Sequence, residues 1–193
     1  MARPKEFDPD EALEKAMQTF WAQGYHDTSV RDLVRSTGVN QYGLYSTFND
    51  KHGLFLAVLD RYRNKVTPII LRELKREGSG LIAIRRAFDR ILAIAKKSNG
   101  HSGCLMCTTA VELAPFDEEA AAKVAAHMEL LRGAFQDAIE GTQRGGEISN
   151  KKDPGALSEY LTTTVYSVGL LARAGKGRAY VKRHVETTLE TLE

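Results

Sequence analysis

The sequence predicts an all-α fold in two parts, a small N-terminal helix-turn-helix unit followed by a larger helical domain. Three observations carry this. Apolar residues recur at the three- and four-residue spacing of amphipathic helices in the segments between Gly, Pro, Asn and Asp clusters. No segment alternates apolar and polar residues as a half-buried strand does, and there is no internal repeat or low-complexity tract. The stretch 28–48, TSVRDLVRSTGVNQYGLYSTF, reads as two short helices joined by a tight turn at Gly38.

Residues 1–6 form a short arm in which Arg3 and Lys5 flank Pro4, a helix breaker. Asp8 before Pro9 pairs a capping carboxylate with a proline at the first helical position, so the first helix starts there. Leu13, Ala16, Met17 and Phe20 give it one apolar face, with Trp21 beside them, and Gly24 supplies the stop. Thr28 or Ser29 caps the second helix, which turns Val30, Leu33 and Val34 inward and Arg31 and Arg35 outward. Thr37, Gly38 and Val39 make the turn, where Gly38 takes a positive φ at little steric cost. Asn40 caps the third helix; Leu44 and Phe48 share its buried face, and Gln41, Tyr42, Gly43, Tyr45, Ser46 and Thr47 are left as outward candidates.

Asn49 and Asp50 cap a fourth helix with Leu54, Phe55, Val58, Leu59 and Tyr62 on one face. Pro68 is expected to kink or end it, and Gly78, Ser79 and Gly80 mark a break. The domain boundary is placed near Val66, giving units 1–65 and 66–193. Ile84, Ala87, Phe88, Ile91, Leu92 and Ala95 stripe the next helix, ended by the SNGHSG loop. A shorter helix is expected from about Gly103 to Ala114, closed by Pro115. Asp117 opens an alanine-rich helix with the apolar series Val124, Met128, Leu131, Phe135 and Ile139, ending in the glycines at 141–146. Two last helices run from about Asp153 to Ala174 and from about Gly177 to the end, striped by Leu157, Leu161, Val165, Val168 and Ala172 and by Val181, Val185, Leu189 and Leu192.

With 42% hydrophobic and 27% charged residues, the composition is that of an ordinary globular protein. A net charge of +2 is too small for bulk charge to identify a nucleic-acid binder, so that case rests on where charges are placed. No apolar run approaches a membrane span or a signal peptide, and the expected location is the cytoplasm. Two cysteines close together without a secretory signal argue for reduced thiols.

A major groove admits one α-helix, and base edges are read best from its N-terminal turn. Gln41 carries the amide that can bond adenine bidentately, Tyr42 can meet a thymine methyl or a phosphate, and Gly43 lacks the Cβ that would hold the backbone off the groove. Tyr45, Thr47 and Lys51 suit phosphates, aided by the N-terminus of the fourth helix, and Arg3 and Lys5 can clasp an adjacent groove. By spacing alone, a helical module that never touches DNA reads equally well.

The run from Phe7 to Tyr62 closely resembles the N-terminal domain of TetR/AcrR-family transcriptional regulators. The matching marks are Phe20-x-x-x-Gly24-Tyr25, Thr28, Gly38-Val39 and Leu44-Tyr45-x-x-Phe48-x-x-Lys51-x-x-Leu54. The second half resembles the ligand-binding domains of that family more loosely, in helix count and in GCLMCTTAVELAP before an alanine-rich helix. The resemblance implies a homodimeric regulator, usually a repressor released from a palindromic operator by a small molecule, with an activator as the alternative; no residue pattern calls for a cofactor. It assigns Gln41, Tyr42 and Gly43 to base readout and Thr28, Tyr45 and Lys51 to the DNA backbone.

On the effector side, Phe88, Cys104, Leu105, Met106, Thr109, Phe135, Tyr166 and Val168 can line a pocket between helices, although each taken singly reads as core. Cys104 and Cys107 open a helix, whose free amides would lower a thiol pKa and favour redox or electrophile sensing; burial as small apolar groups is the alternative. A metal site on His101, Cys104 and Cys107 lacks a fourth ligand, and a Cys104 nucleophile with His101 as base lacks an orienting carboxylate, so no enzyme is expected. The last two helices, striped and without a cover, are expected to pair with a second copy as a four-helix bundle.

Overall fold

The computed structural model describes residues 7–75, 80–95 and 103–192. Arg3, Lys5 and His101 lie outside them. Among the described residues there are ten helices and no strand.

Helix α1 (Pro9–Gln23) begins where Asp8 accepts from the Asp10 amide at 2.8 Å, and ends with the Gly24 amide donating to Phe20 O. In α2 (Val30–Thr37), Ser29 is the cap, in a reciprocal capping box with Asp32. Gly38 closes α2 in the left-handed region at φ 75°, and Asn40 then caps α3 (Gln41–Phe48) by accepting from the Gly43 amide at 2.7 Å. Asp50 caps α4 (Lys51–Lys65) through the Gly53 amide.

Pro68 neither kinks nor ends α4. That helix stops at Lys65, and Pro68 lies in the first turn of a short, unexpected helix, α5 (Thr67–Leu74), where a proline forfeits no intrahelical hydrogen bond. Then follow α6 (Gly80–Ala95), α7 (Leu105–Glu112), α8 (Glu118–Arg144), α9 (Pro154–Arg173) and α10 (Arg178–Glu190). Two register expectations change. In α8 the buried position between Val124 and Leu131 is His127, and Met128 is exposed. In α10, Val181, Val185 and Leu189, with Leu192 just beyond its end, are buried against their own chain, so the face left open is not this stripe but the one that carries Tyr180.

Two apolar clusters result. One joins α1–α4 to Leu105 and Met106 of α7, Leu113, and Ala120 and Val124 of α8; the other joins α5, α6, α8, α9 and α10. Val66 belongs to the first and Ile70 to the second, but α7 and α8 close the core of the N-terminal unit. Polar contacts strengthen this junction. The Tyr25 amide donates to Glu112 Oε2 at 2.9 Å, His52 Nε2 lies 2.6 Å from Asp117 Oδ2, and the Lys123 ammonium lies 2.7 Å from Asp60.

Candidate nucleic-acid interface and internal cavity

The cap at Asn40 sets the direction of α3, and its first turn therefore projects Gln41 and Tyr42 into solvent, Tyr42 at 84% exposure. Gln41, Tyr42, Tyr45 and Ser46 line one open concavity along this helix. Lys51 stands beside it in the first turn of α4, its ammonium 4.4 Å from the centre of the Tyr25 ring, where partial burial lowers its pKa. Partial burial likewise raises the Tyr45 pKa, with Asp50 adding to the effect.

Three other candidates occupy different places. Thr28 is fully buried, and its hydroxyl donates to Gly24 O at 2.6 Å, bracing the α1–α2 turn. A Cβ on Gly43 would meet Val39 Cγ1 at 2.9 Å and Phe7 Cε1 at 3.3 Å, so the missing side chain makes room for packing behind the helix. The Thr47 hydroxyl oxygen is buried and has no hydrogen-bond partner among the described residues.

An internal cavity of about 20 Å³ lies where α4, α5, α6, α8 and α9 converge on the residues before α7. Tyr62 and Val66 come from α4 and its end, Thr67 and Ile70 from α5, Ile91 from α6, His127 from α8 and Val165 from α9, with Cys104 at the start of α7. Of the eight residues expected at a pocket, only Cys104 is among these. Phe88 and Phe135 stack on each other at 5.7 Å and, with Leu105, Met106, Thr109 and Val168, are fully packed core. Tyr166 stands one step behind, its hydroxyl 2.8 Å from His127 Nδ1.

Burial dominates at both thiols. It raises the Cys104 pKa despite the Tyr62 hydroxyl, which donates to Sγ at 3.5 Å, and the amides of Met106 and Cys107. The Cys107 thiol, donating to Tyr166 O at 3.4 Å, is pushed up to about 11. Both sulfurs are therefore protonated at neutral pH, and a preformed thiolate is absent. Burial also lowers His127 to about 4, so its imidazole is neutral. The described residues contain no group of three or more His, Cys, Asp or Glu placed to hold a metal ion.

The polar residues of the cavity escaped the sequence analysis. Thr67 and Tyr62 sit in apolar stripes, and a lone histidine in an alanine-rich helix carries no spacing signal.

A capped helix presenting polar side chains on a compact four-helix head, with a cavity behind the helix that joins it to a second helical domain, is the arrangement of a helix-turn-helix DNA-binding protein. The chain belongs to the TetR family. Residues 12–58 match the model described as "Bacterial regulatory proteins, tetR family", and residues 80–188 match "Tetracyclin repressor-like, C-terminal domain". The chain is 32% identical to the HTH-type transcriptional repressor ComR of Escherichia coli (strain K12), over 97% of this chain and 90% of that protein. It is 28% identical to the HTH-type transcriptional regulator YezE of Bacillus subtilis (strain 168), over the full length of both. Among solved structures, the TetR family regulator CifR, as a cysteine mutant complexed with 26-bp double-strand operator DNA, matches with TM-score 0.88 and 22% identity over all of both chains, a likeness of fold. The protein is thus a DNA-binding transcriptional regulator of a family in which dimers and small-molecule effectors are typical.

Proposed function

We propose that the protein is a homodimeric repressor that holds a palindromic operator through α3 and releases it when a small molecule enters the cavity behind α4. Residues 1–65 form the reading head and 66–193 the effector and dimerisation unit. Gln41 and Tyr42 read base edges, Tyr45 and Lys51 meet phosphates, and Arg3 and Lys5 extend the contact. Thr28, Gly43 and Thr47 act by holding α3 in place. Operator DNA puts the site of action in the cytoplasm.

The observation that carries this reading is the exposure of Gln41 and Tyr42 in the first turn of a helix anchored from behind by the buried Leu44. A dimer engages two major grooves at once only when its reading helices stand about 34 to 36 Å apart. The cavity shares Tyr62 and Val66 with α4 and its end, so a ligand that parts its walls shifts the helix that sets this spacing. For dimerisation we assign the last two helices, α9 and α10, where Tyr160, Leu170 and Tyr180 are exposed.

Selection of bound sequences from genomic DNA supplies the operator and tests the readout. On the selected palindrome, Gln41→Ala is expected to cost about 1 to 3 kcal/mol and to relax preference at the base pair it reads. Tyr42→Ala weakens binding at a neighbouring position. Unchanged affinity and unchanged preference in both variants would remove the readout assignment.

A further inference from the structure

Each of the other buried threonines among the described residues spends its hydroxyl on a carbonyl four residues back, as Thr109 does on Leu105 O at 2.9 Å and Thr162 on Ser158 O at 2.8 Å. Thr67 is the exception. It is 1% exposed, its oxygen has no hydrogen-bond partner among the described residues, and it lines the cavity. As the first residue of α5, it has no turn of its own helix behind it to accept the proton. A buried hydroxyl left without a partner is costly, and a ligand atom that supplies one recovers that cost on binding.

Resting on the effector reading above, we infer that the cavity takes a small uncharged ligand, an apolar body bearing one carbonyl or hydroxyl oxygen, anchored by the hydroxyl of Thr67 and the imidazole of His127. The apolar body follows from walls such as Val66, Ile70, Ile91 and Val165. The absence of charge follows because, among the described residues, no carboxylate, ammonium or guanidinium lines the cavity, and an ion buried there would lack a counter-charge. His127 is neutral, and its Nδ1 is engaged by the Tyr166 hydroxyl, which leaves Nε2 for the ligand. Size is limited as well. The free space is about 20 Å³, against roughly 150 Å³ for an engineered cavity that takes benzene, so even a single ring must push the walls apart. That expansion gives the ligand its preference for one dimer geometry over the other.

Trp21 reports on the cavity without DNA. It is the sole tryptophan, its ring meets Tyr62 edge-on at 5.0 Å, and its Nε1–H donates to Gly103 O at 3.1 Å. The full-length protein is titrated at pH 7.5 with cyclohexanone, cyclohexanol, methylcyclohexane and cyclohexanecarboxylate, following Trp21 fluorescence and Tm. The ketone and the alcohol are expected to saturate and raise Tm, methylcyclohexane to bind about tenfold more weakly, and the carboxylate not to bind. Thr67→Val should erase the advantage of the oxygenated probes without lowering the Tm of the free protein, and Thr67→Ser should retain it. The inference is overturned if no probe binds, if the carboxylate binds as well as the ketone, or if Thr67→Val leaves the tenfold difference intact. Operator release is measured separately on the selected duplex. A probe that binds with the expected pattern but leaves the operator bound supports the ligand class and counts against the repressor mechanism.

Discussion

His127 turns burial into a dependence on pH that a surface histidine would not have. In the folded protein it takes up a proton only near pH 4, whereas its ordinary value is 6.5. Between those values the unfolded chain binds more protons, so stability rises with pH across the window. The contribution is complete above about pH 6.5 and falls away as the pH drops towards 4, by up to about 3 kcal/mol. Urea unfolding of the wild type and of His127→Gln from pH 7.5 to 4.5 should show the variant losing this part of the slope while the carboxylate part remains. Parallel curves would mean that His127 takes up its proton in the fold as it does in the unfolded chain. At this scale the legibility of the chain was uneven. Gln41 and Tyr42 could be placed because a capping Asn40 fixes which residues occupy the first turn of α3. His127 could not, because Val124 and Leu131 are compatible with a buried residue at 127 or at 128, and packing against Tyr166 and Tyr62 decides between them.

Among the elements, the α3–α4 joint holds the reading helix most tightly. Asn49 turns the chain at φ 75°, and Asp50 starts α4 so close to α3 that a Cβ on Gly53 would overlap the carbonyl oxygen of Phe48. Gly38, in the α2–α3 turn, has nothing within 4 Å of the corresponding position, and its demand is for the positive φ alone. Gly38→Ala should therefore cost about 1 to 2 kcal/mol in chemical denaturation, from backbone strain. Gly53→Ala should cost more, because the relief of a backbone overlap, about 1 to 3 kcal/mol, adds to any other loss and must move α3. Operator affinity should fall further in Gly53→Ala than in Gly38→Ala. Equal effects in both assays would show that the joint yields easily. The turn at Gly38 was legible because its chemistry is local. The role of Gly53, and the existence of α5, were not. Gly53 depends on an approach between two helices, and Pro68 reads as a terminator unless the end of α4 at Lys65 is known.

Across the whole molecule, the head is not an independent bead. Its core is completed by α7 and α8, Glu112 holds the Tyr25 amide, Arg173 of α9 donates to Trp21 O at 3.1 Å, and Arg61 ties α4 to Asp10 and Glu14 of α1. The two-part plan was legible from helix count and break positions. This cross-packing was not, since contacts distant in sequence leave no local pattern. The same limit hid which faces of the last two helices stay free for a partner. The stripe of α10 is buried on α6 and α9, and its outer face carries Tyr180 beside Lys182, Arg183, Glu186 and Glu190. The exposed large apolar side chains of these two helices are Tyr160 and Leu170 of α9 and Tyr180 of α10, with Leu170 at 56% exposure. Burying such a side chain is worth about 1.5 to 3 kcal/mol, and a two-fold axis counts every substitution twice. Leu170→Glu, which also brings two carboxylates towards the axis, should shift sedimentation to the monomer at micromolar concentration and reduce operator affinity towards that of a half-site. Leu130→Glu on α8 should leave both unchanged. If Leu130→Glu dissociates the dimer and Leu170→Glu does not, the partner sits on α8, and the spacing of the reading helices must be rebuilt from that face.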